Sequence, residues 1–182
     1  QFMGWAVDDQ IRTDNPCRWI DNPSLPAPLP KSLSENEVAK LLAAADDMQP
    51  TALSLRLVAM LEILYATGLR VSELVHLQVS QFRRQPDSIL VVGKGGRERL
   101  VPLGLAAKRA AAEWLELRDA NPGYLLSDYM FPSVSTNADG GAMTRQQFAQ
   151  LLKNIAVAAQ IDPRRVTPHK IRHSFATHML NR

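Results

Sequence analysis

Apolar residues recur at helical spacing over most of the chain, and two short stretches break that rhythm. Val38, Leu41, Leu42 and Ala45 share one face of a segment opened by a capping box, Ser34 with Glu37. Residues 51–66 are dense in Leu, Val, Met and Ile on every side, the pattern of a buried central helix, and Gly68 follows as its stop. A shorter helix carrying Ser72, Glu73, Leu74, Val75, His76 and Leu77 is expected next. The rhythm then changes. SILVV at 88–92 and ERLVP at 98–102 are β-prone runs on either side of GKGG at 93–96, which reads as a hairpin with Lys94 at its tip. Helical spacing returns over 105–119 and stops before Pro122. Residues 122–142 read as a loop in which Tyr129, Met130 and Phe131 form a packed anchor. Thr144 and Gln147 open another capped helix through Ala159, and Thr167 caps a last one with Pro168 in its first position. No internal repeat is visible. The fold class is mainly α with one small antiparallel β-hairpin.

Residues 1–20 hold Phe2, Trp5, Ala6, Val7, Ile11 and Trp19, too few to make a domain. They read as the last helix, over 1–15, of an upstream unit. Pro16, Pro23, Pro26, Pro28 and Pro30 then mark an extended linker. The expected organisation is therefore residues 1–30 as upstream tail and linker, and 31–182 as the main domain.

The 182 residues, 46% of them hydrophobic, suffice for one buried core. The lone Cys17 excludes an internal disulfide framework and fits a reducing cytoplasm. No apolar run reaches membrane-spanning length, and the first residues do not form a signal peptide. A net charge of +3 with a pI near 9.2 leans toward a polyanionic partner. The distribution sharpens this, because Glu35, Glu37, Asp46 and Asp47 lie early while Arg164, Arg165, His169, Lys170, Arg172, His173 and Arg182 cluster late.

Candidate chemistry lies in three separated places. His169 and Arg172, at i and i+3, share one face beside the N-terminus of the last helix, where free N–H groups attract anions. Arg70 stands at a helix–turn–helix corner with Glu73 close enough to orient its guanidinium. Lys94 rides on a glycine-rich turn. Each also has a plain reading, as a cap with stray charges, a helix-end ion pair and a soluble hairpin tip. His169 and His173 are spaced like metal ligands, but no glutamate accompanies them, and Lys170 and Arg172 would repel a cation. No metal or cofactor is expected. His173 either supports the site or caps local carbonyls. Arg97, Arg99 and Lys170 either touch a phosphate backbone or face solvent. His76 and His178 read as structural. Ser72 and Ser174 have no base–orienter pair, so hydrolase chemistry finds no support.

In this order, ATGLRVSEL at 66–74, GKGGRERLVPL at 93–103 and TPHKIRHSFATHML at 167–180 resemble the catalytic domain of tyrosine site-specific recombinases, the phage integrase family. LPKSLSENEVAKLL at 29–42 resembles the start of that domain, and the nearest likeness is to the bacterial Xer-type branch. The resemblance implies a topoisomerase IB-like fold and DNA strand transfer through a 3′-phosphotyrosyl intermediate. It implies Arg70 and Arg172 on the non-bridging phosphate oxygens, Lys94 protonating the leaving 5′-oxygen and His169 as acid–base, with Glu73 and His173 in support. It also implies double-stranded DNA as partner, a cytoplasmic site of action and a tetramer on paired sites in the whole protein. Residues 1–30 would then be the end of a DNA-clamp domain and its linker. The family's Leu-Gly-His-type segment and its nucleophilic tyrosine are expected beyond Arg182, and Tyr65, Tyr124 and Tyr129 match that tyrosine in none of their positions. The chain alone is expected to be monomeric and inactive. A non-catalytic DNA-binding or assembly module of the same fold is the alternative. Whether the parent resolves chromosome dimers, integrates a phage or moves a mobile element stays open.

Overall fold

A computed structural model describes residues 2–17, 32–48, 51–84, 86–133 and 141–181, with Lys94 described through its backbone only. The helices are α1 (Phe2–Asp8), α2 (Glu35–Asp46), α3 (Ala52–Thr67), α4 (Val71–Val75), α5 (Leu105–Ala120), α6 (Pro122–Leu125), α7 (Arg145–Ala158) and α8 (Pro168–Leu180). Strands β1 (Ser88–Val92) and β2 (Glu98–Pro102) pair antiparallel, with Val91 opposite Arg99 and Ile89 opposite Val101. The mainly helical class with one small hairpin is therefore observed.

Helix α3 is the hub. Leu57, Ala59, Met60, Leu61, Ile63 and Leu64 are all buried, as an apolar helix with little sidedness requires, and α2, α5 and α8 pack around it. The capping boxes at Ser34 and Thr144 form as expected, and the Thr51 side chain caps α3 through the Ser54 N–H. Thr167 accepts from the Lys170 N–H with Pro168 in the first turn, which starts α8 at the expected residue.

Three differences from the sequence expectations have local causes. The helix expected over 1–15 spans only Phe2–Asp8: Gln10 turns to φ 59, and the Ile11 and Arg12 N–H groups both close on the Ala6 carbonyl. Asp8 and Asp9 place two carboxylates at the helix end where the dipole disfavours them. Second, the loop expected over 122–142 begins with helix α6, because Asn121 caps the Gly123 N–H and Pro122 needs no donor partner in the first turn. Third, two arginines lie in the core. Arg118 donates to the carbonyls of Ser127 and Tyr129, Trp114 to that of Met130 at 2.8 Å, and Arg56 to that of Pro132 at 3.1 Å. A non-repetitive backbone segment buried beside α3 and α5 must have its carbonyls satisfied, and these side chains do it. Met130 and Phe131 are fully buried there, so the expected anchor is present. Of the expected linker marked by Pro16 to Pro30, residues 18–30 lie outside the described residues, as do positions 134–140 of the expected loop.

Helix α8 is seated by contacts distant in sequence. Ser174 accepts the Leu33 N–H at 2.8 Å and donates to the Lys170 carbonyl at 2.9 Å. Arg165 pairs with Glu37 at 2.7 Å, fastening the turn before α8 to the start of α2. At the end of α3, Gly68 takes a left-handed φ of 58, and a Cβ there would stand 2.3 Å from Cδ1 of Phe175. The chain thus brings the corner before α4 hard against α8. Gly68→Ala adds both backbone strain and overpacking, and should destabilise the protein by about 2–4 kcal/mol in urea unfolding, with Phe175→Leu in the same background recovering part of the loss.

Candidate phosphate-binding active site

The site begins with a capping interaction. Glu73 is the third residue of α4, and its carboxylate reaches back to accept the Arg70 backbone N–H at 2.8 Å, satisfying an end of so short a helix. That places one carboxylate, its side chain only 5% exposed, at the corner after α3. Three guanidiniums converge on it. Arg70 donates from Nη1 to Oε1 at 3.1 Å. Arg99 on β2 donates from both terminal nitrogens, to Oε1 at 3.0 Å and Oε2 at 2.7 Å. Arg172 on α8 places Nη1 3.9 Å from Oε2, within ion-pair range but short of a hydrogen bond. That Nη1 is buried and has no hydrogen-bond partner among the described residues.

The electrostatics follow. Burial pushes the Glu73 carboxyl up, but the Arg99 fork, the Arg70 N–H and the Arg70 guanidinium overcome it and hold the group at about 2. Burial and then the neighbouring Arg70 push the Arg172 guanidinium down, with Glu73 opposing. An arginine so shifted still carries its charge at neutral pH. Three cations against one carboxylate leave the cluster at a net +2, with Arg70 and Arg172 each keeping donors free for an anion. An open cleft of about 760 Å³ adjoins it, bordered by Arg70, Gly93, Gly95, Arg97 and Arg99.

Of the residues singled out in the sequence, Arg70, Glu73 and Arg172 meet at this one point. His169 is exposed in the first turn of α8, one turn before Arg172, and His173, the residue after Arg172, is also exposed. Lys170 is half-buried, with its backbone N–H on Thr167. The hairpin turn carries Lys94 between Gly93 and Gly95, with Gly95 and Gly96 at positive φ; the Lys94 side chain lies outside what is described. Arg97 is exposed on the rim of the cleft. Tyr65 donates to or accepts from Nδ1 of His178 at 2.9 Å, which gives that histidine the structural role expected of it. Among the described residues no group of His, Cys, Asp and Glu could hold a metal ion, and no helix is long and apolar enough to cross a membrane.

Arg99 is the member whose part sequence reasoning left undecided. The signal lay in strand periodicity: once Val101 faces inward, Arg99 two residues earlier must face inward too. An arginine at a core-facing hairpin position needs a buried carboxylate, and Glu73 was already on offer.

A mainly helical domain with a hairpin thus presents a net positive cluster of guanidiniums around one carboxylate, with donors to spare for an anion. Residues 31–182 match the phage integrase family, and the chain belongs to it. It is 46% identical over 178 residues to tyrosine recombinase XerD of Vibrio cholerae, covering 95% of this chain and 56% of that protein. It is 40% identical over 182 residues to tyrosine recombinase XerC of Erythrobacter litoralis, covering 99% of this chain and 56% of that one. The chain thus spans little more than half the length of these relatives. Among solved structures it is similar to the XerA recombinase, with TM-score 0.68 and 29% identity over 84% of this chain and 51% of that one. It is also similar to XerH bound to its palindromic difH substrate, with TM-score 0.70 and 27% identity over 84% of this chain and 42% of that one.

Because the Glu73 carboxyl ionises at about 2 in the folded protein against an ordinary 4.5, its stabilising contribution is complete above pH 4.5 and is lost as pH falls toward 2. The stability difference between the parent and Glu73→Gln in urea unfolding should stay constant from neutral pH down to about 4.5 and then narrow as pH approaches 2.

Proposed function

We propose that this chain forms part of the catalytic domain of a site-specific DNA recombinase that cuts and rejoins strands through a 3′-phosphotyrosyl bond. The observation that carries this reading is the convergence of Arg70 and Arg172, which stand 102 residues apart in the chain, on the single carboxylate of Glu73 with donors left over. The scissile phosphate takes the open side of that cluster. Arg70 and Arg172 bind its non-bridging oxygens, where negative charge accumulates in the transition state, and guanidiniums stay charged throughout. Lys94, carried by the hairpin turn, protonates the departing 5′-oxygen. His169 transfers the proton of the attacking hydroxyl, with His173 in support, and Glu73 orients the arginines. Arg97 and Lys170 contact the flanking DNA backbone. No metal is needed, since the protein's own cations supply the charge.

Double-stranded DNA is the substrate, supported by the XerH structures with difH DNA. The acting form is a tetramer on paired sites in the cytoplasm, serving chromosome partition or DNA integration, while this chain alone is a monomer. Residues 1–30 are the end of a DNA-clamp domain with its linker, and 31–182 belong to the catalytic domain. The nucleophile is none of the tyrosines present: Tyr65 is tied to His178, Tyr124 is buried against Trp114, and Tyr129 pairs with Gln78 beside the His76 ring. On a nicked suicide substrate the 182-residue chain should therefore yield no covalent DNA adduct on a denaturing gel.

Activity is tested in a chimera in which this chain replaces the matching 178 residues of the Vibrio cholerae relative. Strand cleavage is expected, and Arg70→Ala or Arg172→Ala should each lower its rate by about a hundredfold or more with the circular dichroism spectrum unchanged. Cleavage indifferent to both substitutions would refute the site. DNA binding without any cleavage would favour a non-catalytic assembly module.

A further inference from the structure

The face of the hairpin turned toward the protein is Ile89, Val91, Arg99 and Val101, so Arg99 stands where alternation calls for an apolar side chain. Among the described residues its side chain donates hydrogen bonds to Glu73 alone. Gly93, at the start of the hairpin turn, lies against the same bridge: a Cβ there would be 3.2 Å from Arg99 Nη1 and 3.6 Å from Glu73 Oε1. The base of the turn is thus fitted over the ion pair, with Gly93 closing back on Arg97 through a 2.7 Å hydrogen bond.

An ionised carboxylate offers about four acceptor sites. Arg99 occupies two, the Arg70 N–H a third and the Arg70 guanidinium a fourth. Glu73 is saturated. Arg172 arrives at 3.9 Å with no Glu73 acceptor left for its Nη1–H groups, and its Nη1 is a buried donor without a hydrogen-bond partner among the described residues. Were Arg99 absent, two acceptor sites would open and Arg172 would collapse onto them.

We propose that Arg99 is a positioning residue: by filling both oxygens of Glu73 it keeps the Arg172 fork unpaired for a phosphate and pins the Lys94-bearing hairpin beside it. This deepens the proposed function and rests on Arg172 as a phosphate ligand. Arg99 itself needs to touch no DNA. A lysine in its place keeps the charge but binds as a point donor and cannot fork across both oxygens.

The test compares the 182-residue chain with Arg99→Lys and Arg99→Gln, using binding of a short DNA duplex and the guanidinium NMR signals of Arg172, with circular dichroism to verify folding. Both variants are expected to lose about tenfold or more in duplex affinity. In both, the Arg172 signals should shift to a paired form that reverts when Glu73→Gln is added. If Arg99→Lys binds DNA as the parent does and the Arg172 signals stay put, Arg99 is a direct backbone contact or a mere solvated cation, and the proposal is overturned. If the parent chain itself does not bind duplex, the DNA reading fails, while the Arg172 signals in the Arg99 variants still decide the positioning role. Should Arg99→Gln not fold, Arg99→Lys alone settles it, since only loss of the fork distinguishes it from the parent.

Discussion

One buried carboxylate organises the region that matters. Like charges repel, so guanidiniums from the corner before α4, from β2 and from α8 cannot be gathered without an anion among them, and Glu73 is that anion. Its charge is fixed by the hydrogen bonds it accepts, which hold the carboxyl at about 2 despite burial. The same group is too small to neutralise three cations. What remains is a net positive cluster with guanidinium donors to spare; on the proposed reading it is preorganised for a phosphodiester whose charge redistributes. On that reading, the cost of assembling like charges is met on folding, so none falls on the moment of reaction.

The rest of the fold delivers these side chains to the carboxylate. Helix α3 runs through the core and ends at Gly68, whose missing side chain lets Phe175 of α8 approach the corner before Arg70. Ser174 and the Arg165–Glu37 pair hold α8 from its other side, through the backbone of Leu33 and the start of α2. Both tie the helix carrying His169 and Arg172 to the chain at Leu33 and Glu37.

Much of this was legible in the sequence, and the exceptions are instructive. Helix starts were marked by local chemistry that does not depend on the rest of the molecule: Ser34 with Glu37, Thr144 with Gln147, Thr167 with Pro168. The clustering of Arg70, Glu73 and Arg172 followed from motif order, which encodes a shared fold. What could not be read was a long-range polar contact set by tertiary register. Arg56 and Arg118 look like ordinary helix-surface residues until the segment 127–132 is folded over them and its carbonyls need donors. Arg99 looked like a strand-edge charge because its partner lies on another element. Helix α6 hid inside a Gly/Pro-bearing stretch, and α1 stopped early on two aspartates, both cases where a few capping residues outweigh average propensity.

The most direct measurement is a structure of this chain bound to a DNA duplex. The account expects Arg70 and Arg172 to contact non-bridging oxygens of one and the same phosphate, with the Arg99 fork still closed on Glu73. Arg70 and Arg172 on different phosphates, or Arg172 paired with Glu73 while the phosphate lies elsewhere, would contradict it.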